Sequence, residues 1–277
     1  MDVIANTEQF VVSYCTKPGW GSRLIPDGTL TAVHTTKTNN YMQVIAKGNF
    51  TLINVAAGDP GGELDPHGAD GEGNPKGGIV YSNAWGGSNG QPAQTHQWME
   101  FMSAELACIR VCRNNDAYGA ALCQHIYDVM GCGWVMPSDA YNSQTNAFDS
   151  CDSEDGEPPG VYGQSTWYQG DCGVACAPSA HPAPSSSNCK VGASPANKIA
   201  SLPNVPVSTT STPAPTSTSS GGGGGSGSSQ SQSAGSNGGS SGSSSGSKGS
   251  GAVGSALVSS AIVGFVGVVA ALALVAA

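Results

Sequence analysis

The sequence predicts a β-rich fold, all-β or α+β, built as a single disulfide-stapled domain with one principal helix. Residues 29–58 contain short runs of alternating apolar residues, which is the pattern of strands. Only the stretch at about 117–130 has clear helical spacing. Nine cysteines all lie before residue 190, a density typical of disulfide-stabilised extracellular domains.

Composition divides the 277 residues into three parts. All five Trp, eight Tyr and nine Cys precede residue 190, so we expect residues 1–190 to form a cysteine-rich ectodomain large enough to bury a core. Residues 191–251 are rich in Ser, Thr and Pro and then in Gly and Ser. This composition predicts a disordered stalk, O-glycosylated in its first part. Residues 252–277 are almost wholly apolar.

A hairpin is predicted near residue 48. Residues 41–46 and 50–55 alternate between apolar and polar positions, and a turn containing Gly48 separates them. Asn49 begins the sequon Asn49-Phe50-Thr51. We therefore expect an N-linked glycan on Asn49 at the exposed turn.

The principal helix is predicted to span about 117–130. Its apolar stripe, expected to be buried, consists of Leu122, Ile126, Val129 and Met130. Gly131 is the expected stop. On such a helix His125 and Asp128 are three residues apart and can contact each other.

Eight cysteines are predicted to form disulfides with one another, in a connectivity that the sequence leaves open. They are Cys108, Cys112, Cys123, Cys132, Cys151, Cys172, Cys176 and Cys189. Cys15 is the candidate for the unpaired thiol, because it stands 93 residues before the next cysteine. Residues 1–10 have no signal-peptide pattern. We therefore expect the ectodomain to be truncated at its N-terminus, with the partner of Cys15 upstream.

The net charge is −9, and all 19 acidic residues lie at or before Asp171. An acidic ectodomain disfavours nucleic acid as a partner, because nucleic-acid binding needs basic patches. Cations and neutral glycans remain compatible with this charge. Trp85, Trp98, Trp134 and Trp167 are candidates for stacking on sugar rings, although packing is the first expectation for each.

The densest acidic segment is the loop 59–72. Asp70, Glu72 and Asn74 offer oxygen ligands at alternate positions, as a calcium-binding loop does. Calcium is thus the one cofactor that the sequence suggests. Paired carboxylates in the loop could also serve a glycoside hydrolase. The third interpretation is a surface loop in which Asp side chains brace turns.

The C-terminal segment predicts attachment to a membrane from outside the cell. Small residues at Asn237-Gly238-Gly239, a polar spacer at 240–251 and an apolar tail form a glycosylphosphatidylinositol (GPI) attachment signal. Asn237 is the predicted attachment residue. The alternative is a permanent transmembrane helix, since 252–277 is also long enough to span a bilayer.

Several motifs resemble the fungal macrophage-activating glycoprotein family. They are Cys15-Thr-Lys-Pro-Gly19, Arg23-Leu-Ile-Pro-Asp-Gly28, Gly62-Glu-Leu-Asp-Pro-His-Gly-Ala-Asp70, Gly73-Asn-Pro-Lys-Gly-Gly78 and Cys123-Gln-His-Ile-Tyr-Asp-Val-Met-Gly-Cys132. The resemblance covers about residues 3–190. It implies a secreted or surface glycoprotein with further sequence ahead of Cys15, and it supplies no catalytic residues.

Together these observations predict a GPI-anchored glycoprotein of the fungal cell envelope. We expect it on the outer face of the plasma membrane or in the cell wall, with a structural or glycan-binding role. Its expected partners are the lipid membrane and cell-wall glycans. The alternative function is a carbohydrate-active hydrolase that uses the acidic loop 59–72.

Overall fold

A seven-stranded mixed β-sheet forms the centre of the fold. The protein is described by a computed structural model, which covers residues 3–86, 91–114, 117–142, 147–170 and 173–198. In chain order the strands are β1 (Tyr14–Cys15), β2 (Arg23–Leu24), β3 (Leu30–Lys37), β4 (Tyr41–Gly48), β5 (Gly62–Leu64), β6 (Val80–Ser82), β7 (Ala93–Thr95), β8 (Gln97–Met102), β9 (Leu106–Cys112), β10 (Phe148–Ser153), β11 (Val161–Tyr162), β12 (Ser165–Thr166) and β13 (Ser186–Val191).

The strand order in the large sheet is β13-β10-β3-β4-β9-β8-β5. β10 runs parallel to β3, and all other neighbours in this sheet run antiparallel. The short strands form the pairs β1–β2, β6–β7 and β11–β12. The α-helices are α1 (Ile4–Thr7), α2 (Ala117–Leu122) and α3 (Gly131–Val135). Single turns of 3-10 helix lie at Glu8–Phe10, Phe50–Ile53, Asp139–Tyr141 and Gly173–Cys176.

Both faces of the large sheet are buried. Neighbouring residues on a strand point to opposite faces, so Val44 and Trp98 join one apolar cluster whereas Ile45 and Met99 join the other. The first face is covered by the N-terminal segment and the 3-10 turn at Phe50. Burial on both faces explains why β4, β8 and β9 are apolar almost throughout.

Residues 123–141 cover the second face, and two disulfides bind this cover to β9. Cys108 bonds to Cys132 and Cys112 bonds to Cys123, with Cα atoms 5.8 and 6.0 Å apart. The β-rich, disulfide-stapled fold class predicted from the sequence is confirmed.

The principal helix is shorter than predicted. It ends at Leu122 instead of about residue 130, because Cys123 is bonded to Cys112 on the sheet and Tyr127 turns into the core. Tertiary packing thus overrides the helical spacing. Leu122 is fully buried, but Val129 of the predicted stripe is 60% exposed. Gly131 does not stop a helix; it is the first residue of α3.

The hairpin lies one strand earlier than predicted. β3 pairs with β4, and the turn between them is held by Thr38, whose Oγ1 accepts hydrogen bonds from the N–H groups of Asn40 and Tyr41. After Gly48 the chain enters the 3-10 turn Phe50–Ile53, so the prediction of a strand at 50–55 is wrong. Asn49 caps that turn through its side chain.

The segment 137–189, which lacks a clear strand pattern, contributes β10 and β13 to one edge of the sheet. The disulfide Cys151–Cys189 joins these two strands. Contacts continue beyond residue 190, since the Asn197 N–H donates to the Asp27 carboxylate. The remainder of the stalk, the apolar tail and the predicted attachment residue Asn237 lie outside the described residues. Within the described ranges, no helix has both the length and the apolar character needed to cross a membrane.

Candidate functional site

Two carboxylates of the acidic loop brace its backbone. Asp59 accepts hydrogen bonds from the N–H groups of Ile4 and Gly61, both at 2.9 Å. Asp65 Oδ1 accepts from the N–H groups of His67 and Gly68, at 2.6 and 2.7 Å. Both Asp side chains are buried. They therefore fix the loop and its attachment to α1, as Asp residues commonly do in turns.

The structure does not gather Asp70, Glu72 and Asn74 around one point. Asp70 and Glu72 each lie 2.7 Å from Lys76 Nζ, so an ammonium group already sits between the two carboxylates. The hydrogen bond from Lys76 lowers the pKa of Asp70. Asn74 instead pairs through its backbone with Asp65, and its Nδ2 donates a hydrogen bond to Glu8 Oε2.

A different acidic cluster forms where the N-terminal segment crosses the sheet edge. We define the acidic cluster as Glu8, Glu63, Asp65 and Asp128. Glu8 Oε1 accepts the Glu63 N–H at 3.0 Å, and the Asp128 carboxyl lies close enough to interact electrostatically with the Glu63 carboxyl. Three of the four residues line one open cavity of about 390 Å3, namely Glu8, Glu63 and Asp128.

Burial and mutual repulsion keep Glu63 neutral at pH 7. Removal from water and the proximity of the acidic side chains of Asp128, Asp65 and Glu8 raise the pKa of Glu63 to about 11. Burial is also the main cause that raises the pKa of Glu8. A carboxyl in such surroundings retains its proton far above the ordinary range.

Two histidines border the acidic cluster. The rings of His67 and His125 stack with their centroids 4.6 Å apart, and His125 Nδ1 lies 3.4 Å from Asp65 Oδ1. Burial lowers the pKa of His125, so this imidazole brings little positive charge to the cluster at neutral pH. The predicted helical pair of His125 and Asp128 does not form on a helix, because α2 has already ended.

A second polar site lies on the sheet surface beside β10. His34 Nδ1 and Asp149 Oδ1 are 2.6 Å apart. They face a groove of about 220 Å3 whose polar lining includes His34, Tyr41, Lys47, Asp149, Ser153 and Ser186. We call it the sheet groove. Parallel pairing of β3 with β10 places His34 opposite Asp149, which no local sequence pattern indicates.

The sheet groove does not offer a thiolate metal site. His34, Asp149 and Cys151 have ligand atoms within 4.8 Å of one another. Cys151 is bonded to Cys189, however, and a disulfide sulfur is not the thiolate that binds metals. We therefore interpret the His34–Asp149 pair as a hydrogen-bonding surface.

The remaining predicted site residues fall in several places. Cys176 is also disulfide-bonded, Cys172 lies outside the described residues, and Cys15 is a buried free thiol. Asn49 is exposed, and its Oδ1 accepts a hydrogen bond from Thr51 Oγ1 at 2.6 Å. Glycosylation of Asn49 stays a prediction.

The tryptophans are mostly used for packing. Trp98 is 2% exposed in the core. Trp134 and Trp167 contact each other edge to face, with centroids 5.4 Å apart, and both pack on Tyr127. Partly buried aromatic groups of this kind stabilise the cover on the second sheet face.

Comparison with known proteins finds two relatives from the smut fungus Mycosarcoma maydis. Appressorium protein ROW2 is 48% identical over 189 residues, which are 68% of this chain and 62% of ROW2. Appressorium protein ROW1 is 48% identical over 186 residues, which are 67% of this chain and 42% of ROW1. The chain is similar to fungal appressorium proteins. It spans less than two thirds of the length of either relative.

These matches correct the family resemblance drawn from the sequence motifs. The relatives are appressorium proteins, and nothing connects the chain with macrophage-activating glycoproteins, so that assignment is wrong. No protein-family model matches the chain. No solved structure matches it either.

Proposed function

We propose that this chain is a fungal cell-surface protein that acts at the surface of infection structures. The observation that carries the proposal is its 48% identity to two appressorium proteins. The disulfides Cys108–Cys132, Cys112–Cys123 and Cys151–Cys189 support an extracellular location, because such bonds persist in oxidising compartments. The stalk and the apolar tail support display on a lipid anchor.

A structural or ligand-binding role fits the described residues better than hydrolysis does. A glycoside hydrolase needs two carboxyl groups that flank the bond to be cleaved. Asp59 and Asp65 are buried and hydrogen-bonded to backbone N–H groups, and Glu63 is 3% exposed. The sheet groove, by contrast, presents hydrogen-bonding groups of the kind that hydroxyl-rich glycans require.

Surface labelling of living cells tests the location. An epitope-tagged full chain, secreted behind a fungal signal peptide in Mycosarcoma maydis, should be stained by antibody on intact cells that form appressoria. Cells that do not carry the tagged chain are the control and should remain unstained. Staining of the secreted chain that requires permeabilisation would contradict a surface role.

Glycan binding and hydrolysis are separated by one pair of assays. The purified protein is applied to a fungal and plant glycan array and incubated with the polysaccharides that it binds. Retention without product release, weakened by His34→Ala in the sheet groove, supports the binding role. Release of sugars that is lost in Asp65→Asn or Asp70→Asn would instead favour hydrolysis.

A further inference from the structure

Buried oxygen atoms without hydrogen-bond partners meet at the acidic cluster. Glu63 is 3% exposed, and among the described residues neither of its carboxyl oxygens accepts a hydrogen bond from an N–H or O–H group. Asn74 is 9% exposed, and its Oδ1 also has no partner. Buried polar side-chain atoms nearly always have partners, so each of these two side chains calls for an explanation.

Glu8 connects the backbone of Glu63 with the side chain of Asn74. Its Oε1 accepts the Glu63 N–H at 3.0 Å, and its Oε2 accepts Asn74 Nδ2 at 3.1 Å. Each carboxylate oxygen has a second lone pair, so Glu8 can still bind another group. The exposed Asp128 also lies close enough for its carboxyl to interact with that of Glu63. Neighbouring carboxyl groups of this kind bind either a proton or a cation.

No basic side chain balances this charge within the described residues. The ion pairs found there join Lys76 to Asp70 and Glu72, and histidines to Asp65 and Asp149. None involves Glu8, Glu63 or Asp128. Several carboxyl groups therefore crowd together with no cation to offset their repulsion, which is an arrangement that bound divalent ions commonly resolve.

We propose that Glu8, Glu63, Asp128 and the amide oxygen of Asn74 bind a calcium ion. All four donors are hard oxygen atoms, and calcium accepts carboxylate and amide oxygens in variable geometry, with water completing its shell. Access from solvent is provided by the cavity that Glu8, Glu63 and Asp128 line. This site is distinct from the exposed loop where Lys76 pairs with Asp70 and Glu72.

The bound ion would join three separate segments of the chain. Glu8 lies in the N-terminal 3-10 turn, Glu63 in the edge strand β5, and Asp128 in the segment between α2 and α3. Neither the 3-10 turn nor the segment around Asp128 belongs to the large sheet, so the ion acts as a cross-link at the sheet edge. Calcium-binding modules outside cells bind at about 10⁻⁴–10⁻³ M, which is the affinity range that we expect.

Thermal unfolding of the full chain in detergent, with EGTA or with calcium chloride, tests the proposal. Calcium at about 100 times its Kd should raise Tm by about 5–10 °C, because an ion that binds only the folded state stabilises it by mass action. Glu63→Gln keeps the size of the side chain and removes the carboxylate that calcium would bind in place of the proton. It should abolish the calcium shift, whereas the matched control Asp70→Asn in the exposed loop should keep it.

The same variant gives a second signature in EGTA. There Glu63→Gln should be no less stable than the unaltered protein, since the amide has nearly the same size and places no additional charge beside Glu8 and Asp128. The variant should become the less stable protein only when calcium is added. If Glu63→Gln does not fold, Asp128→Asn at the exposed end of the site serves instead and should weaken calcium binding at least tenfold.

Three results would overturn the proposal. The first is the lack of any calcium shift in the unaltered protein at 10 mM, a concentration about tenfold above the expected Kd range. The second is a shift that survives in Glu63→Gln or Asp128→Asn but is lost in Asp70→Asn, which would move the site to the exposed loop. The third is an equal response to magnesium, which prefers a smaller octahedral site.

Discussion

The guanidinium carbon of Arg110 lies 4.4 Å from the centre of the Tyr41 ring, inside the core. The same guanidinium donates two hydrogen bonds to Gln43 Oε1, at 3.0 and 2.7 Å, and one to the Leu122 carbonyl at 3.0 Å. Arg110 is 1% exposed. A buried cation is thus held by an aromatic face and neutral oxygen atoms, which links β4, β9 and the end of α2.

We expect Gln43→Leu to lower the free energy of unfolding by about 3 kcal/mol, because it leaves a buried charge without its main acceptor. Arg110→Met should cost less, about 2 kcal/mol, since it removes the charge itself. The double variant should be more stable than the sum of the two costs predicts. Urea unfolding of the four proteins measures this coupling, and strictly additive costs would contradict it.

The disulfide between Cys112 and Cys123 ends α2 and fastens it to β9. Replacing both cysteines by alanine should lower the free energy of unfolding by about 2–4 kcal/mol, through a less constrained unfolded chain. Cys15→Ala is the matched control: it removes a buried thiol but no bond, and should cost about 1 kcal/mol. Equal costs for the two changes would argue against the Cys112–Cys123 bond.

Thiol mapping tests the state of Cys15 directly. The protein is denatured without reductant, treated with an alkylating agent and digested. We expect label on Cys15, which is free in the structure. The bonded cysteines should stay unlabelled; they are Cys108, Cys112, Cys123, Cys132, Cys151, Cys176 and Cys189. A peptide that joins Cys15 to any of them would contradict the structure.

Glu100 should make the free energy of unfolding of the protein depend on pH. It lies on β8 in register between Leu64 and Ile109, is 2% exposed, and has a pKa that burial raises well above the ordinary value of 4.5. Above pH 4.5 the unfolded chain releases this proton while the folded chain keeps it. The free energy of unfolding therefore falls as the pH rises towards the folded-state pKa.

In Glu100→Gln no proton is released from this position when the chain unfolds. The stability of this variant relative to the unaltered protein should improve as the pH rises above 4.5 towards the folded-state pKa of Glu100, by up to about 1.4 kcal/mol per pH unit. Glu105→Gln, at an exposed position of the same hairpin, is the control and should show no such trend. A stability difference for Glu100→Gln that does not change with pH would contradict this prediction.

The strand-rich class of the fold was predictable because β4, β8 and β9 consist largely of apolar and β-branched residues. The helix was overestimated because Ile126 and Val129 have helical spacing with Leu122, while the bond at Cys123 and the burial of Tyr127 decide the local backbone. The hairpin was misplaced because Thr38 holds the turn through its side chain, and no glycine marks that turn.

The polar sites were less predictable than the strands. Asp70 and Glu72 lie close together in sequence and suggested a calcium loop, but both form ion pairs with Lys76. Glu8, Glu63 and Asp128 meet only after folding, and His34 meets Asp149 only through the parallel pairing of β3 with β10. Sites assembled from distant segments leave no local pattern in a single sequence.

We propose that a lipid holds the extracellular domain at the fungal surface. Treatment of membranes with phosphatidylinositol-specific phospholipase C tests this most directly, because the enzyme releases proteins held by such a lipid. We expect the full-length secreted protein to move into the soluble fraction, and mass spectrometry to identify a C-terminal peptide that ends at or near Asn237 with remnants of the lipid glycan. No peptide from residues 252–277 should be found. An enzyme-resistant membrane fraction that retains an intact C-terminus at Ala277 would contradict the GPI anchor and indicate a transmembrane segment.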